Sequence, residues 1–122
     1  MNGTRRLLVV EDDDSIRDMM EMVLASEGYE VVTARDGAVA LATLNQEQPD
    51  LILLDMKMPI VDGWEFARRY AELPPPRPPV IVITAAQDAS RRAAEIGAQG
   101  YLAKPFSIDD LLQLVDDHLD AR

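Results

Sequence analysis

One carboxylate stands at the end of a strongly apolar run. Residues 51–54 (LILL) carry no polar side chain, as expected for a central strand buried on both faces of a parallel sheet, and Asp55 follows directly. Pro59, soon afterwards, rules out further regular strand pairing. Ligands of open α/β sheets bind outside the carboxyl ends of the strands, so Asp55 is placed for chemistry. The structural alternative is that Asp55 only caps the following turn.

Other polar residues hold the same position relative to an apolar run. Each follows a short run that predicts a strand: Glu11 and Asp12 after residues 7–10, Thr84 after residues 80–83, and Lys104 after residues 101–103. Taken singly, they have structural explanations, because acids and threonine cap helices and a lysine often lies in solvent. Those explanations do not account for their convergence on one edge of one sheet.

The chemistry that these residue types support is phosphoryl transfer. Three carboxylates at one place repel one another, and a hard divalent cation relieves that repulsion. The chain has no cysteine and a single histidine, His118, so its oxygen ligands suit Mg²⁺ or Mn²⁺. Lys104 supplies a positive charge and Thr84 a hydroxyl for a bound phosphoryl group. A carboxylate such as Asp55 can itself be the nucleophile and form an aspartyl phosphate.

The elements that position these residues alternate regularly. Apolar runs predict five strands, each followed by an amphipathic helix, and such alternation gives a parallel sheet with helices on both faces. The predicted fold is a flavodoxin-like doubly wound α/β domain with sheet order 2-1-3-4-5. We expect a single domain over residues 1–122, with its core at about 6–119. The fourth helix, about residues 88–96, has mainly alanines and Ile96 to bury, so we expect it to move most readily.

The charge balance argues against two classes of partner. Twelve basic and 22 acidic residues give a net charge of −10, which opposes binding to nucleic-acid phosphates and to anionic membrane surfaces. No apolar run approaches the ~20 residues that span a bilayer, and residues 1–6 contain no apolar signal-peptide segment. We therefore expect a cytoplasmic protein without a direct nucleic-acid or membrane partner.

Four motifs carry a family resemblance. They are VVEDD (9–13), LLDMKMPIVDG (53–63), ITA (83–85) and YLAKPF (101–106). In this order and at this spacing, they resemble the receiver domain of two-component response regulators, a family that includes the chemotaxis response regulator. The resemblance covers about residues 6–119. It implies that Asp55 accepts a phosphoryl group from the phosphohistidine of a histidine kinase or histidine phosphotransfer protein. Such a domain is not an enzyme, although it takes part in its own phosphorylation and slow dephosphorylation.

The resemblance also implies how the metal is held. Asp12 and Asp55 would ligate Mg²⁺ together with the backbone carbonyl of Lys57. Glu11 would act on the ion through water. The first acidic position is a glutamate where some family members have aspartate, a common variant that is compatible with metal binding.

The remaining site residues are implied to bind the phosphoryl group and to signal its presence. Thr84 and Lys104 would contact phosphoryl oxygens, the Lys104–Pro105 bond would be cis, and the Tyr101 side chain would follow the movement of Thr84. The signal is expected to leave through the fourth helix, fifth strand and fifth helix, into which Thr84 and Lys104 lead. Its recipient would be a downstream protein or an effector domain outside this chain. The chain itself is expected to be a monomer or a weak dimer.

Two further positions bear on the lifetime of the phosphoryl group. By the resemblance, Lys57 and Ala86 flank the path of the hydrolytic water. Ala86 has no polar atom with which to orient that water, and Lys57 is long enough to screen the phosphoryl. The alternative for Lys57 is that it points into solvent. We expect slow self-dephosphorylation.

Two other functions use similar residues. A metal-dependent phosphohydrolase of the haloacid-dehalogenase type also has an aspartyl nucleophile after a buried strand. It needs a second aspartate two residues later, where this chain has Lys57, and it needs a cap domain. A receiver-like scaffold that is never phosphorylated would be expected to lose Asp55, Lys104 or one of the acids, and none is lost. The phosphorylation switch is therefore the leading prediction.

Overall fold

The computed structural model describes residues 4–56, 62–85 and 87–120, and in these residues five strands alternate with five helices. The strands are β1 (Arg6–Val10), β2 (Glu30–Ala34), β3 (Leu51–Asp55), β4 (Val80–Ala85) and β5 (Gly100–Lys104). The helices are α1 (Asp14–Ser26), α2 (Gly37–Leu44), α3 (Gly63–Tyr70), α4 (Ala89–Ile96) and α5 (Ile108–Asp120). All strand pairs are parallel, in the order β2-β1-β3-β4-β5. The predicted fold class and strand order are confirmed.

Three strands run further than their apolar stretches. β3 includes Asp55, β4 includes Thr84 and β5 includes Lys104. Asp55 lies opposite Ile83, and Thr84 lies opposite Ala103. Pairing continues past the last apolar side chain because the ladder is made by backbone groups, whatever the side chain. The polar residues are therefore held by strand ends rather than by loops.

Buried strand residues alternate between two apolar clusters, one on each face of the sheet. On one face they pack against α1 and α5, through Met20 and Leu24 and through Leu111, Val115 and Leu119. On the other face they pack against α2, α3 and α4, through Ala40, Phe66, Tyr70 and Ala93. In the part of the chain that the structure describes, none of the helices is long and apolar enough to span a membrane.

Helix starts are fixed by side-chain caps, with one exception. The carboxylates of Asp13, Asp36 and Asp62 each accept a backbone N–H at 2.9 Å at the starts of α1, α2 and α3. The Ser107 hydroxyl accepts one at 3.0 Å in the first turn of α5. At the start of α4, Asp88 makes no side-chain cap hydrogen bond. Among the described residues, this helix therefore starts without the side-chain cap that the other four have, and the Asp88 carboxylate pairs with Arg91 at 2.6 Å instead.

Candidate functional site

The carboxyl ends of four strands border one cavity of about 620 Å³. Its polar lining contains Asp13 and all the residues that the sequence pattern singled out: Glu11, Asp12, Asp55, Thr84 and Lys104. Because strands β1 and β3 are neighbours in the sheet, the acidic residues that follow and end them meet at the same edge. The predicted convergence of these side chains is what the structure shows.

The three carboxylates form a compact acidic cluster. One carboxylate oxygen from each of Glu11, Asp12 and Asp55 lies within 4.8 Å of the others. Glu11 and Asp55 are 1% and 4% exposed, whereas Asp12 is exposed to solvent. Three negative charges at this spacing are costly without a compensating cation, and all the clustered donors are hard oxygen atoms. The residues present therefore fit a divalent cation such as Mg²⁺.

Lys104 is the cation that partly compensates this cluster. Its Nζ lies 2.9 Å from Glu11 Oε1 and 3.7 Å from Asp55 Oδ2. Glu11 Oε1 has no donor with hydrogen-bond geometry among the described residues, so the shorter contact is an ion pair. Burial alone would lower the pKa of Lys104, but the contact with Glu11 and the charges of Asp55 and Asp12 outweigh burial and raise it. Lys104 therefore stays charged at neutral pH, and its charge offsets part of the negative charge of the three carboxylates that the structure describes here.

The turn between β1 and α1 is held by several hydrogen bonds. Glu11 Oε2 accepts the Asp13 backbone N–H at 3.2 Å, and the Glu11 carbonyl accepts a hydrogen bond from Arg17 Nη1 at 3.0 Å. Arg17 also pairs with Asp14 at 2.6 Å. Arg17 is not among the residues predicted for the site, although its spacing from Asp14 by three residues on a helix was an available signal. Glu11 is thus fixed through its backbone and both carboxylate oxygens.

Thr84 and Tyr101 occupy different environments on neighbouring strands. Thr84 is 3% exposed on β4 and borders the cavity, while Tyr101 on β5 is 48% exposed. Tyr101 lies opposite Val82, two positions before the residue that pairs with Thr84.

The Lys104–Pro105 peptide bond is cis, as predicted. Two other predicted residues, Lys57 and Ala86, lie outside the described residues.

One family of known proteins matches this chain. Residues 7–116 match the model of the response regulator receiver domain. Response regulator MprA from Mycolicibacterium vanbaalenii is 38% identical over 109 residues, which make up 88% of this chain and 47% of MprA. The chain thus spans about half the length of the curated relatives that it matches.

Solved structures give the same family. A protein of Chloroflexus aurantiacus named as a response regulator has a TM-score of 0.88 and 37% identity, covering 98% of this chain and 100% of that one. The receiver domain of a sensor histidine kinase from Pseudomonas aeruginosa, whose structure has a magnesium ion coordinated in the active site cleft, has a TM-score of 0.86 and 30% identity, covering 97% and 99%. The chain therefore belongs to the family of receiver domains of two-component response regulators.

Proposed function

We propose that Asp55 is the phosphoacceptor of this receiver domain. The observation that carries the proposal is its position: a nearly buried carboxylate at the end of β3, beside Glu11 and Asp12 and 3.7 Å from Lys104 Nζ. One oxygen of Asp55 attacks the phosphorus of a phosphohistidine. A P–O bond forms as the P–N bond breaks, and the imidazole, protonated on its other nitrogen, leaves as the neutral ring.

Asp12 and Asp55 would hold Mg²⁺, or Mn²⁺ in its place, together with the backbone carbonyl of Lys57. When bound, the ion neutralises charge on the transferred phosphoryl oxygens. Glu11 would contribute through water. This role is supported by its contacts, since one oxygen faces Lys104 and the other accepts the Asp13 N–H. The magnesium ion in the cleft of the similar Pseudomonas aeruginosa domain supports the same choice of metal.

Lys104 and Thr84 would bind the phosphoryl group once it is on Asp55. Lys104 Nζ is already within 3.7 Å of Asp55 Oδ2, so a short movement away from Glu11 brings it to a phosphoryl oxygen. Thr84 borders the same cavity and has a hydroxyl to donate. Because Lys104 ends β5 and Thr84 is the last residue but one of β4, and both strands lead into helices, binding to the phosphoryl group would bias those helices.

Receiver domains take their phosphoryl group from a kinase partner, and here we propose a histidine kinase or a histidine phosphotransfer protein as donor. The output surface would be α4, β5 and α5, with Tyr101 as the side chain that follows Thr84. Ile108, at the start of α5, is 49% exposed and adds apolar area to that surface. A downstream protein or an effector domain would bind there. Residues 1–122 would act as one domain, monomeric or weakly dimeric.

The lifetime of the phosphoryl group stays a prediction from sequence. Lys57 as a screen and Ala86 as a position that cannot orient water favour slow self-dephosphorylation. On that reading, a partner phosphatase or back-transfer to the histidine would end the signal.

The proposal is tested by incubating the protein with acetyl phosphate and Mg²⁺ and measuring its intact mass. The wild type should gain one phosphoryl group, and chelation of the metal should prevent the gain. Asp55→Asn should abolish it, because an amide oxygen is a poor nucleophile. Asp110→Asn is the matched control, since it removes an exposed carboxylate in the first turn of α5 that does not line the cavity, and it should leave the gain unchanged.

The same experiment separates the alternatives. A gain that persists in Asp55→Asn at the wild-type rate would mean that another residue accepts the phosphoryl group. A receiver-like scaffold would show no gain in any variant. A phosphohydrolase would release inorganic phosphate catalytically from unrelated phosphomonoesters without retaining any on the protein.

A further inference from the structure

Helix α4 is attached to the protein differently from the other helices. The side chains that it buries are those of Ala89 and Ala93, and Ile96 is only half-buried. Alanine side chains bury little apolar area, so the hydrophobic contribution to holding α4 is small. A cavity of about 390 Å³ lies between α3 and the end of α4, bordered by Phe66 and Tyr70 on one side and by Ile96 on the other. The helix therefore has few apolar contacts and has space beside it.

Polar and aromatic contacts join α4 to α3 instead. Trp64 Nε1–H donates a hydrogen bond to Glu95 Oε1 at 3.0 Å. The Arg92 guanidinium lies 4.9 Å from the centre of the Trp64 ring, within the range of a cation–π interaction. Arg92 Nη1 also lies 3.2 Å from Glu95 Oε1. We call these three residues, Trp64, Arg92 and Glu95, the α3–α4 latch.

The latch connects the two elements that follow the phosphoryl site. α3 begins at Gly63, whose N–H donates to the Met56 carbonyl at 3.0 Å. A Cβ atom at position 63 would lie 2.7 Å from Met56 Cα. The start of α3 is therefore in close backbone contact with Met56, the residue after Asp55. α4 in turn follows β4, which contains Thr84. The latch therefore bridges the segment after Asp55 and the segment after Thr84.

The latch is also incompletely satisfied. The Arg92 side chain is 18% exposed, and its Nε is buried without a hydrogen-bond partner among the described residues. A buried donor without a partner costs free energy and makes a polar network easier to rearrange. The latched position of α4 is thus held by specific contacts and is opposed by this cost.

We propose that the α3–α4 latch restrains α4 in the unphosphorylated protein and so sets how readily the domain switches. The inference rests on the proposed phosphorylation of Asp55. A phosphoryl group, or its mimic beryllofluoride, would favour a conformation in which α4 is released from α3. The cost of breaking the latch contacts then offsets part of the free energy with which that group binds. Weakening the latch raises the population of the competent conformation and tightens apparent binding by the same factor.

The test compares beryllofluoride affinity, in the presence of Mg²⁺, by titration calorimetry. Trp64→Phe removes the indole donor and keeps a ring for Arg92, and Glu95→Ala removes the acceptor and the ion pair. Each should bind beryllofluoride roughly fivefold more tightly than the wild type, the factor that matches the net value of one hydrogen bond. Glu72→Ala is the matched control. This change removes an exposed glutamate just after α3 whose carboxylate lies 3.9 Å from the Arg68 guanidinium. The variant should bind beryllofluoride with the wild-type affinity.

The outcomes distinguish this inference from the proposed function. If the wild type neither gains an Asp55-dependent phosphoryl group nor binds beryllofluoride, the proposed function and the latch both fail. If the wild type does both, while Trp64→Phe and Glu95→Ala bind equally or more weakly, the latch alone is contradicted. Urea unfolding accompanies each variant. The unfolding midpoint of Glu95→Ala should stay close to that of the wild type, and a large drop in that midpoint would contradict a restraint confined to α4.

Discussion

Helices α5 and α4 lie on opposite faces of the same sheet and are held in opposite ways. α5 buries Leu111, Val115 and Leu119, each at most 2% exposed. α4 buries two alanines and is joined to α3 by the latch. Burial of a leucine or valine contributes about 1.5–3 kcal/mol, whereas a net hydrogen bond contributes about 1 kcal/mol. We therefore expect α5 to hold its position on the sheet more firmly than α4 does.

The difference matches the two phosphoryl-contacting residues that we propose. Lys104 leads into the firmly packed α5, and Thr84 leads into α4. We expect a small movement at Thr84 to shift α4 more than a movement at Lys104 shifts α5. We infer that the unequal attachment of the two helices is what allows a local charge change at Asp55 to become a shape change.

The largest expected effect is on the free energy of unfolding, when one apolar side chain is truncated on α5 and, for comparison, one on α4. Leu111→Ala should lower the free energy of unfolding by about 2–5 kcal/mol, because it leaves a cavity under a fully buried side chain. Ile96→Ala should cost about 1 kcal/mol or less, since Ile96 is half-buried and borders an existing cavity. Urea unfolding of both variants measures the contrast. Equal losses would mean that α4 is packed as firmly as α5.

Magnesium should have a smaller effect and should act on the fold as a whole. Ion binding among Glu11, Asp12 and Asp55 relieves their repulsion, so Mg²⁺ at about five times its dissociation constant should add about 1 kcal/mol of stability. Thermal melts should shift upward by roughly 3–6 °C. Asp12→Ala should be at least as stable as the wild type without metal and should not respond to Mg²⁺. A wild-type melting temperature that does not change when millimolar Mg²⁺ is added would argue against a metal site.

The fold and the composition of the site could be predicted from the sequence because both follow from local patterns. Strand runs and helix periodicity specify the sheet, and the sheet brings its strand ends together. Two contacts could not be predicted. Lys104 pairs more closely with Glu11 than with Asp55, and Trp64 reaches Glu95 on another helix. Both depend on the relative placement of separate elements and on side-chain rotamers, which no sequence spacing encodes.

The smallest expected effect is the response of the latch to acid. The hydrogen bond from Trp64, supported by Arg92 and opposed by burial, holds the pKa of Glu95 below its usual value of 4.5. A lowered pKa means that this carboxylate stabilises the folded state above its usual pKa, and that the contribution is lost as the pH falls through the lowered value. The fluorescence of Trp64, the single tryptophan, should therefore change with a midpoint below 4.5. The effect should be small because Glu95 is exposed and screened by solvent.

A control variant identifies the source of that change. In Glu95→Ala the fluorescence should not vary with pH over the same range. A midpoint above 4.5 in the wild type, or the same titration in Glu95→Ala, would show that the signal arises from another carboxylate and that Glu95 does not hold Trp64.

The most direct test of the account is an amide chemical-shift map of the protein with Mg²⁺, before and after beryllofluoride is added. We predict changes that start at Asp55, pass through Thr84 and Ala85 along α4, and reach Tyr101 on β5. They should weaken along the well-packed part of α5 towards Leu119. Changes confined to the turn between β1 and α1 would show metal binding without a switch, and would contradict the claim that α4 carries the signal.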